Sequence, residues 1–178
     1  MFKYLVALPV PAPFDDDIVS LMVRVAAVTE LNPPCKLPPH VSFLKPLINI
    51  EERVLGNLVW SAVLSMRETR MTVSSFFNFG THYFVLPVQV PLRAAALWIG
   101  MSKLIMLLPE YKYGPYDWDN TPHITVATNT TPVFEQSWPI VRRMEFEPIT
   151  FPVTEVALYR KPVDGGNWEL VKTFSIPS

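Results

Sequence analysis

The chain has 178 residues, of which 49% are hydrophobic and 17% are charged, and its formal net charge is −1. These values are typical of a globular protein, because a chain of this length buries roughly 70% of its unfolded surface in a core. The near-neutral charge argues against a protein that holds long nucleic acid through a basic surface, since Lys and Arg must neutralise the phosphates in such a complex. A short nucleotide ligand is compatible with this charge.

The cysteine content and the hydropathy pattern bear on the cellular compartment of the protein. Cys35 is the only cysteine, so an intrachain disulfide and a cysteine-based zinc cluster are both excluded. The N-terminal strand pattern lacks the apolar region and the cleavage site of a signal peptide. No segment reaches the ~18 consecutive apolar residues of a membrane span. We therefore expect a cytoplasmic protein that has no membrane partner.

Strand and helix patterns alternate in the first half of the chain. An apolar N-terminal strand is followed by prolines and by three aspartates, which favour a helix start because negative charge is stabilised there. Helical spacing of apolar residues then occurs twice, on either side of a short strand pattern bounded by prolines. The predicted elements are a strand over 2–8, a helix over about 15–30, a strand over about 40–45 and a helix over about 51–66.

The second half of the chain begins with a hairpin pattern centred on Gly80 and Thr81. Pro91 fits the first turn of a helix, and a turn sequence over 164–167 separates the last two strands. The predicted elements are strands over 69–79 and 82–90, a helix over about 91–107, a strand over 123–128, a helix over about 132–143, and strands over about 149–161 and 168–176.

The predicted order of elements is β-α-β-α-β-β-α-β-α-β-β. Strands that are joined by both hairpins and helices indicate an α+β fold with largely antiparallel sheets. A strand–helix–strand–helix order occurs near the start and again after the central hairpin, which suggests an internal duplication. No long linker divides the chain, so we predict a single domain over 1–178 that is built from two lobes.

A five-residue pattern occurs once in each half of the chain. Pro39-His40-Val41-Ser42-Phe43 returns as Pro122-His123-Ile124-Thr125-Val126. Successive side chains of a strand alternate between its faces, so each histidine and the hydroxyl residue two positions later point the same way. The apolar residues of the pattern then point to the buried face. Two such strands that face each other would form a cleft with two imidazoles and two hydroxyls.

The doubled pattern resembles the signature of the two-histidine (2H) phosphoesterase superfamily, which includes the RNA ligase/cyclic phosphodiesterase-like proteins. That signature consists of two His-x-Thr/Ser-x motifs with mostly apolar residues at x, and it matches here at 40–43 and 123–126. The predicted order of elements extends the resemblance over essentially the whole chain. The resemblance implies a bilobal, pseudo-two-fold α+β fold, in which antiparallel sheets with outer helices surround a central cleft.

The resemblance also implies metal-independent hydrolase chemistry, without a cofactor, on a small nucleotide phosphodiester. The implied substrates are a 2′,3′-cyclic phosphate, a 2′–5′ linkage or a cyclic oligonucleotide. Carried over by position, the catalytic residues are His40, Ser42, His123 and Thr125. One neutral and one protonated imidazole supply the base and the acid that phosphodiester cleavage needs, and the hydroxyls donate to the nonbridging phosphate oxygens. Some ligase-like members carry an arginine soon after the second motif, where this chain has the segment 127–129, Ala-Thr-Asn.

Aromatic and basic residues near the motifs are candidate substrate contacts. Tyr83, Tyr116 and Trp118 are able to stack on a nucleobase. Arg160 and its neighbour Lys161 stand at a predicted strand end, where they are able to attract a phosphate. For each aromatic residue alone, a place in the core or in a loop is the commoner role, and the two cations equally fit a solvated strand end.

Three functions are compatible with these residues. A 2H-type phosphodiesterase is the leading hypothesis, and a non-catalytic nucleotide-binding module on the same fold is the alternative. A zinc-dependent hydrolase with His40, His82 and His123 as ligands is the third, although nothing in their spacing favours it. Two intact motifs favour the enzyme over the binding module. We expect a monomer whose partner is a small nucleotide or a short oligonucleotide rather than long nucleic acid.

Overall fold

The structure, a computed structural model, describes residues 1–29, 37–43, 45–79, 83–108, 121–128 and 131–178. In these ranges four helices pack against two five-stranded sheets. The helices are α1 (Phe14–Thr29), α2 (Glu52–Val63), α3 (Leu92–Met106) and α4 (Thr131–Val141). The strands are β1 (Phe2–Pro9), β2 (His40–Ser42), β3 (Leu47–Ile48), β4 (Thr69–Val73), β5 (Phe77–Phe79), β6 (Tyr83–Gln89), β7 (His123–Thr128), β8 (Ile149–Val153), β9 (Glu155–Pro162) and β10 (Glu169–Ser175).

Each sheet contains one of the two motif strands. Sheet one has the order β10-β9-β1-β2, with β3 also paired to β1. Sheet two has the order β5-β6-β4-β8, with β7 also paired to β6. All of these pairs are antiparallel, which confirms the predicted α+β class. The motif strands β2 and β7 lie at the sheet edges and contact each other, so the two sheets meet at the motifs.

One hydrophobic cluster contains side chains from both sheets and from the helices. Helix α1 turns Ile18, Leu21 and Val25 toward it at the spacing of one helix face. Helix α2 does the same with three residues of its own, Leu55, Val59 and Val63. Because each fully buried side chain of this kind stabilises a fold by about 1.5–3 kcal/mol, the strands beside the motifs are firmly anchored.

The predicted strand over 149–161 is wrong, because the structure divides it between the two sheets. β8 pairs with β4 in sheet two, whereas β9 pairs with β1 in sheet one. The burial pattern gives the reason: Phe151 and Val153 point into the core, and Val156 and Leu158 continue one residue out of phase. A one-residue slip exchanges the two faces of a strand. The chain therefore crosses from one sheet to the other at Thr154, which is exposed.

Short elements account for the other differences from the prediction. The strand predicted over 69–79 is interrupted after β4, and the first motif strand ends at Ser42. β3 was not predicted, because two residues carry no periodicity. Gly80 and Thr81, the predicted hairpin turn, lie outside the described residues. Among the described helices, none combines the length and the apolar content needed to cross a membrane.

Candidate active site

The two motif strands have matching surroundings. His40 lies directly opposite Pro9 on β1, and His123 lies directly opposite Pro87 on β6. Each proline stands within the same tripeptide, Leu-Pro-Val, at 8–10 and at 86–88. In both tripeptides the valine N–H donates to the carbonyl of the residue before the histidine, over 2.9 Å to residue 39 and 2.8 Å to residue 122. The repeat thus includes the neighbouring strands, which the sequence analysis did not notice.

The predicted alternation of faces is confirmed on both strands. Val41 and Ile124 are fully buried, as is the apolar residue that ends each motif, Phe43 or Val126. The motif histidines and hydroxyl residues, which alternate with these buried positions, are partly exposed. We call the side of each sheet that carries its motif histidine the cleft face.

Each imidazole is oriented by the backbone just before it. Nδ1 of His40 donates to the carbonyl oxygen of Pro38 over 2.8 Å, and Nδ1 of His123 donates to the carbonyl oxygen of Thr121 over 2.7 Å. A carbonyl oxygen only accepts, so the proton of each neutral imidazole resides on Nδ1. Nε2 is then the ring nitrogen whose lone pair takes up or releases a proton.

Both imidazoles are held toward their neutral form. Burial lowers the pKa of His40 and of His123 below the ordinary value of 6.5, and the carbonyl hydrogen bonds oppose this effect. The charge of His123 lowers the pKa of His40 further. Two protonated imidazoles are therefore disfavoured, and the singly protonated pair is the form with one acid and one base.

A cavity of about 170 Å³ joins residues of the two sheets. It brings His40 of sheet one together with Thr125 of sheet two. Its lining consists of Met22, Leu37, Pro38, Pro39, His40, Tyr83, Thr125 and Thr128. Within the described part of the chain, the hydroxyls of Ser42 and Thr125 make no side-chain hydrogen bond, and of these two residues Thr125 lines the cavity.

A β-bulge adds Thr128 to this cavity. Thr125 pairs with Val85, but the register between β7 and β6 then shifts, and Thr128 pairs with Tyr83. Without the shift, Thr128 would lie on the face opposite to Thr125, because the two residues are three positions apart along the strand. The bulge returns it to the cleft face. The sequence analysis missed this role, because nothing in a strand pattern reveals a bulge.

The predicted aromatic contacts have different positions. Tyr83 lines the cavity at the start of β6, and its side chain is 45% exposed. Tyr116 and Trp118 lie outside the described residues. Cys35 and His82 also lie outside them. Within the described ranges, no group of three or more His, Cys, Asp or Glu side chains is arranged to hold a metal ion.

Arg160 is not brought to the histidines. It lies on β9 directly opposite Tyr4 of β1, on the face of sheet one that is opposite to the cleft face. Its guanidinium donates to Glu52 over 3.2 Å and to Glu169 over 3.4 Å. Two carboxylates therefore already satisfy this cation, and we do not count Arg160 among the substrate contacts. Lys161, the next residue, faces the other way, on the cleft face.

Tyr159 was missed by the sequence analysis. It lies on β9 directly opposite Leu5, and its ring centroid is 6.5 Å from that of His40. The sequence offered no signal for this contact, since 119 positions separate the two rings along the chain (159 − 40 = 119) and strand pairing alone brings them together.

The fold of this chain matches those of several solved protein structures. No protein-family model and no curated protein matches the chain. TT0787 of Thermus thermophilus is 19% identical at a TM-score of 0.67, with 98% of this chain and 97% of that chain covered. A phosphoesterase is 14% identical at a TM-score of 0.73, with both chains fully covered (100%). E. coli LigT is 13% identical at a TM-score of 0.68, with 99% of this chain and 98% of that chain covered. The chain therefore has the fold of the two-histidine phosphoesterases, as the doubled motif predicts.

Proposed function

We propose that the protein is a 2H-type phosphoesterase, a metal-independent hydrolase that cleaves a small nucleotide phosphodiester. The observation that carries this proposal is the matched pair of imidazoles. Each stands on an edge strand, each donates from Nδ1 to a backbone carbonyl, and the two are electrostatically coupled. Such a pair is suited to simultaneous general base and general acid catalysis, which contributes roughly 10²–10⁴-fold to a rate.

The proposed mechanism assigns one proton transfer to each histidine. The neutral imidazole takes the proton of the attacking oxygen through Nε2. The protonated imidazole gives its Nε2 proton to the leaving oxygen. Ser42 and Thr125 donate hydrogen bonds to the nonbridging oxygens, where negative charge develops. Because strands carry all four groups, their spacing is maintained without reorganisation during the reaction.

The size of the cavity beside His40 and Thr125 favours a small substrate. The cavity of about 170 Å³ lies below the roughly 300–1,000 Å³ of common ligand pockets. Solved complexes of E. coli LigT, which has the same fold, contain 3′-AMP, phosphate, ATP or NADP+. These names support a phosphate-bearing small ligand for this chain. We propose a nucleoside 2′,3′-cyclic phosphate, a 2′–5′ linkage or a short cyclic oligonucleotide as the substrate, and a cytoplasmic monomer as the working form.

Hydrolysis assays in the presence of EDTA test the function. The panel consists of a nucleoside 2′,3′-cyclic phosphate, a 2′–5′ oligoadenylate and a cyclic dinucleotide. We expect at least one to be hydrolysed, and His40→Ala or His123→Ala to reduce kcat by about 10²-fold or more, because each removes the acid or the base. Lys103→Ala, on the exposed side of α3, is the control and keeps full activity.

Three results would contradict the proposal. If both histidine variants keep the activity, the pair is not catalytic. Binding of the panel without turnover would instead favour a nucleotide-binding module on the same fold. A loss of activity in EDTA that zinc restores would favour a metal-dependent hydrolase.

A further inference from the structure

We propose that the hydroxyl of Tyr159 is a third hydrogen-bond donor to the substrate phosphate, next to Ser42 and Thr125. This inference rests on the proposed function, because it assumes that a phosphate binds between the motif strands. It assigns a substrate contact to β9, a strand that carries neither motif.

Strand geometry shows where the phenol points. Tyr159 lies opposite Leu5 and His40 lies opposite Pro9, so the two backbones are offset by four residues, or about 13 Å, along β1. They are also two strand spacings apart, about 9–10 Å. The ring centroids are nevertheless only 6.5 Å apart. Both side chains must therefore lean toward each other, and the hydroxyl, as the outermost atom of the phenol, points toward His40.

Two small residues make room for this orientation. Ala7 and Ala157 lie directly opposite each other on β1 and β9, between Tyr159 and the motif strand, and both are fully buried. Ser42 lies opposite Ala7 on the other side of β1. All of these positions belong to the cleft face, since directly opposed residues share a face. A phenol that leans over the alanines thus approaches Ser42 as well as His40.

The hydroxyl of Tyr159 lacks a partner within the described part of the chain. The residue is only 6% exposed, and none of the described residues accepts or donates a hydrogen bond at its hydroxyl. A polar group that burial partly desolvates gains from a hydrogen-bond partner. Tyr4, on the opposite face of the same strand pair, instead donates to Glu52 over 3.3 Å. A bound phosphate oxygen would supply the partner that Tyr159 lacks.

The ionisation of the phenol suits a donor. Burial, and then the negative charge of Glu155, raise the pKa of Tyr159 above its ordinary value of 10.0. The hydroxyl therefore keeps its proton under conditions in which the histidine pair is active, and it offers that proton to an anion.

Tyr159→Phe tests the inference, because it removes the hydroxyl and keeps the ring. Since a hydrogen bond to a charged group contributes substantially to binding, we expect kcat/KM to fall about 10-fold to 100-fold on the best substrate of the panel. The midpoint of urea unfolding should stay the same or rise, because no internal hydrogen bond is lost. Tyr4→Phe is the matched control, and it should keep kcat/KM.

Equilibrium binding of inorganic phosphate, measured by calorimetry, separates this inference from the proposed function. If the wild-type protein hydrolyses no member of the panel, the proposed function is refuted. Even then, a phosphate affinity that is about tenfold weaker in Tyr159→Phe than in the wild type supports the contact. Unchanged kcat/KM together with unchanged phosphate affinity would overturn the contact. A fall in kcat/KM that is accompanied by a lower midpoint of urea unfolding would overturn it too, because the hydroxyl would then be structural.

Discussion

At the scale of single residues, the site depends on how the protein controls two imidazole protons. The carbonyls of Pro38 and Thr121 each hold the Nδ1 proton of a motif histidine, so the same nitrogen, Nε2, is presented twice. Burial then lowers the pKa of both rings and so favours their neutral form. The doubled motif predicts which residues do this work, but the orienting carbonyls belong to the backbone, and no side-chain pattern reveals them.

The pH dependence of the rate follows from these pKa shifts. The pKa values of His40 and His123 both lie below 6.5, and a working pair needs one protonated and one neutral ring. We therefore expect a bell-shaped profile of kcat/KM with its maximum below pH 6.5, whose two apparent pKa values belong to the pair. Activity should decline as the pH rises above the maximum, because the acid is lost. Steady-state assays across this range are the measurement, and a maximum above 6.5 would contradict the assignment.

At the scale of elements, the motifs lie on short edge strands that are supported from one side. β2 contains three residues and pairs only with β1 among the described strands. Its ends are held by Val10, whose N–H donates to Pro39, and by Phe43, whose N–H donates to Val6. An edge position leaves the second side of each motif strand open to the other sheet. This placement explains why the site forms where the sheets meet.

Two glycines, one in a helix and one in the turn between β9 and β10, test how the backbone contributes to stability. An added Cβ at Gly56 or at Gly165 meets no atom within 4 Å, so space decides neither case. Gly56 lies inside α2, where Ala is favoured by about 0.5–1 kcal/mol. Gly165 has a φ of +132°, which L-residues rarely adopt. We expect Gly56→Ala to raise the free energy of unfolding by about 1 kcal/mol and Gly165→Ala to lower it by about 1 kcal/mol or more.

Urea unfolding of both glycine variants measures these effects, and activity assays are the control, since neither residue lines the site. A Gly165→Ala variant as stable as the wild type would contradict the assigned turn conformation. A destabilised Gly56→Ala would mean that α2 is not helical around this position.

At the scale of the whole molecule, the two sheets are interleaved along the chain. The chain enters sheet two at β4 and returns to sheet one at β9, so the final hairpin completes the sheet in which the N-terminal strand began. This return places Tyr159 beside His40. The predicted internal duplication describes the motifs and their flanking strands well, but it gives no indication of this crossing.

The burial of the two histidines also makes the stability of the whole fold depend on pH. Their pKa values are lower in the native protein than in the unfolded chain, so the unfolded chain binds more protons. This contribution to stability is complete above pH 6.5, and it is lost as the pH falls from 6.5 toward the native pKa values. Each unit of lowering corresponds to about 1.4 kcal/mol.

The measurement is the free energy of unfolding in urea at several pH values, for the wild type and for the double variant His40→Asn/His123→Asn. An asparagine amide is able to replace the Nδ1 donor but does not titrate. We expect the variant to show a weaker dependence on pH just below 6.5. Equal slopes for the two proteins would show that the imidazoles are not desolvated in the native state.

The sequence by itself determined the class of the fold, the two motif strands and the residues proposed for catalysis, because periodicity and residue type are local properties. His40 with Ser42 and His123 with Thr125 are each set by the alternation of a single strand. Tertiary structure alone decided which other groups join them. Thr128 enters through a bulge, Tyr159 through pairing of β9 with β1, and Arg160 is excluded because it lies on the opposite face. These placements depend on register between distant strands, which the packing of the complete core selects.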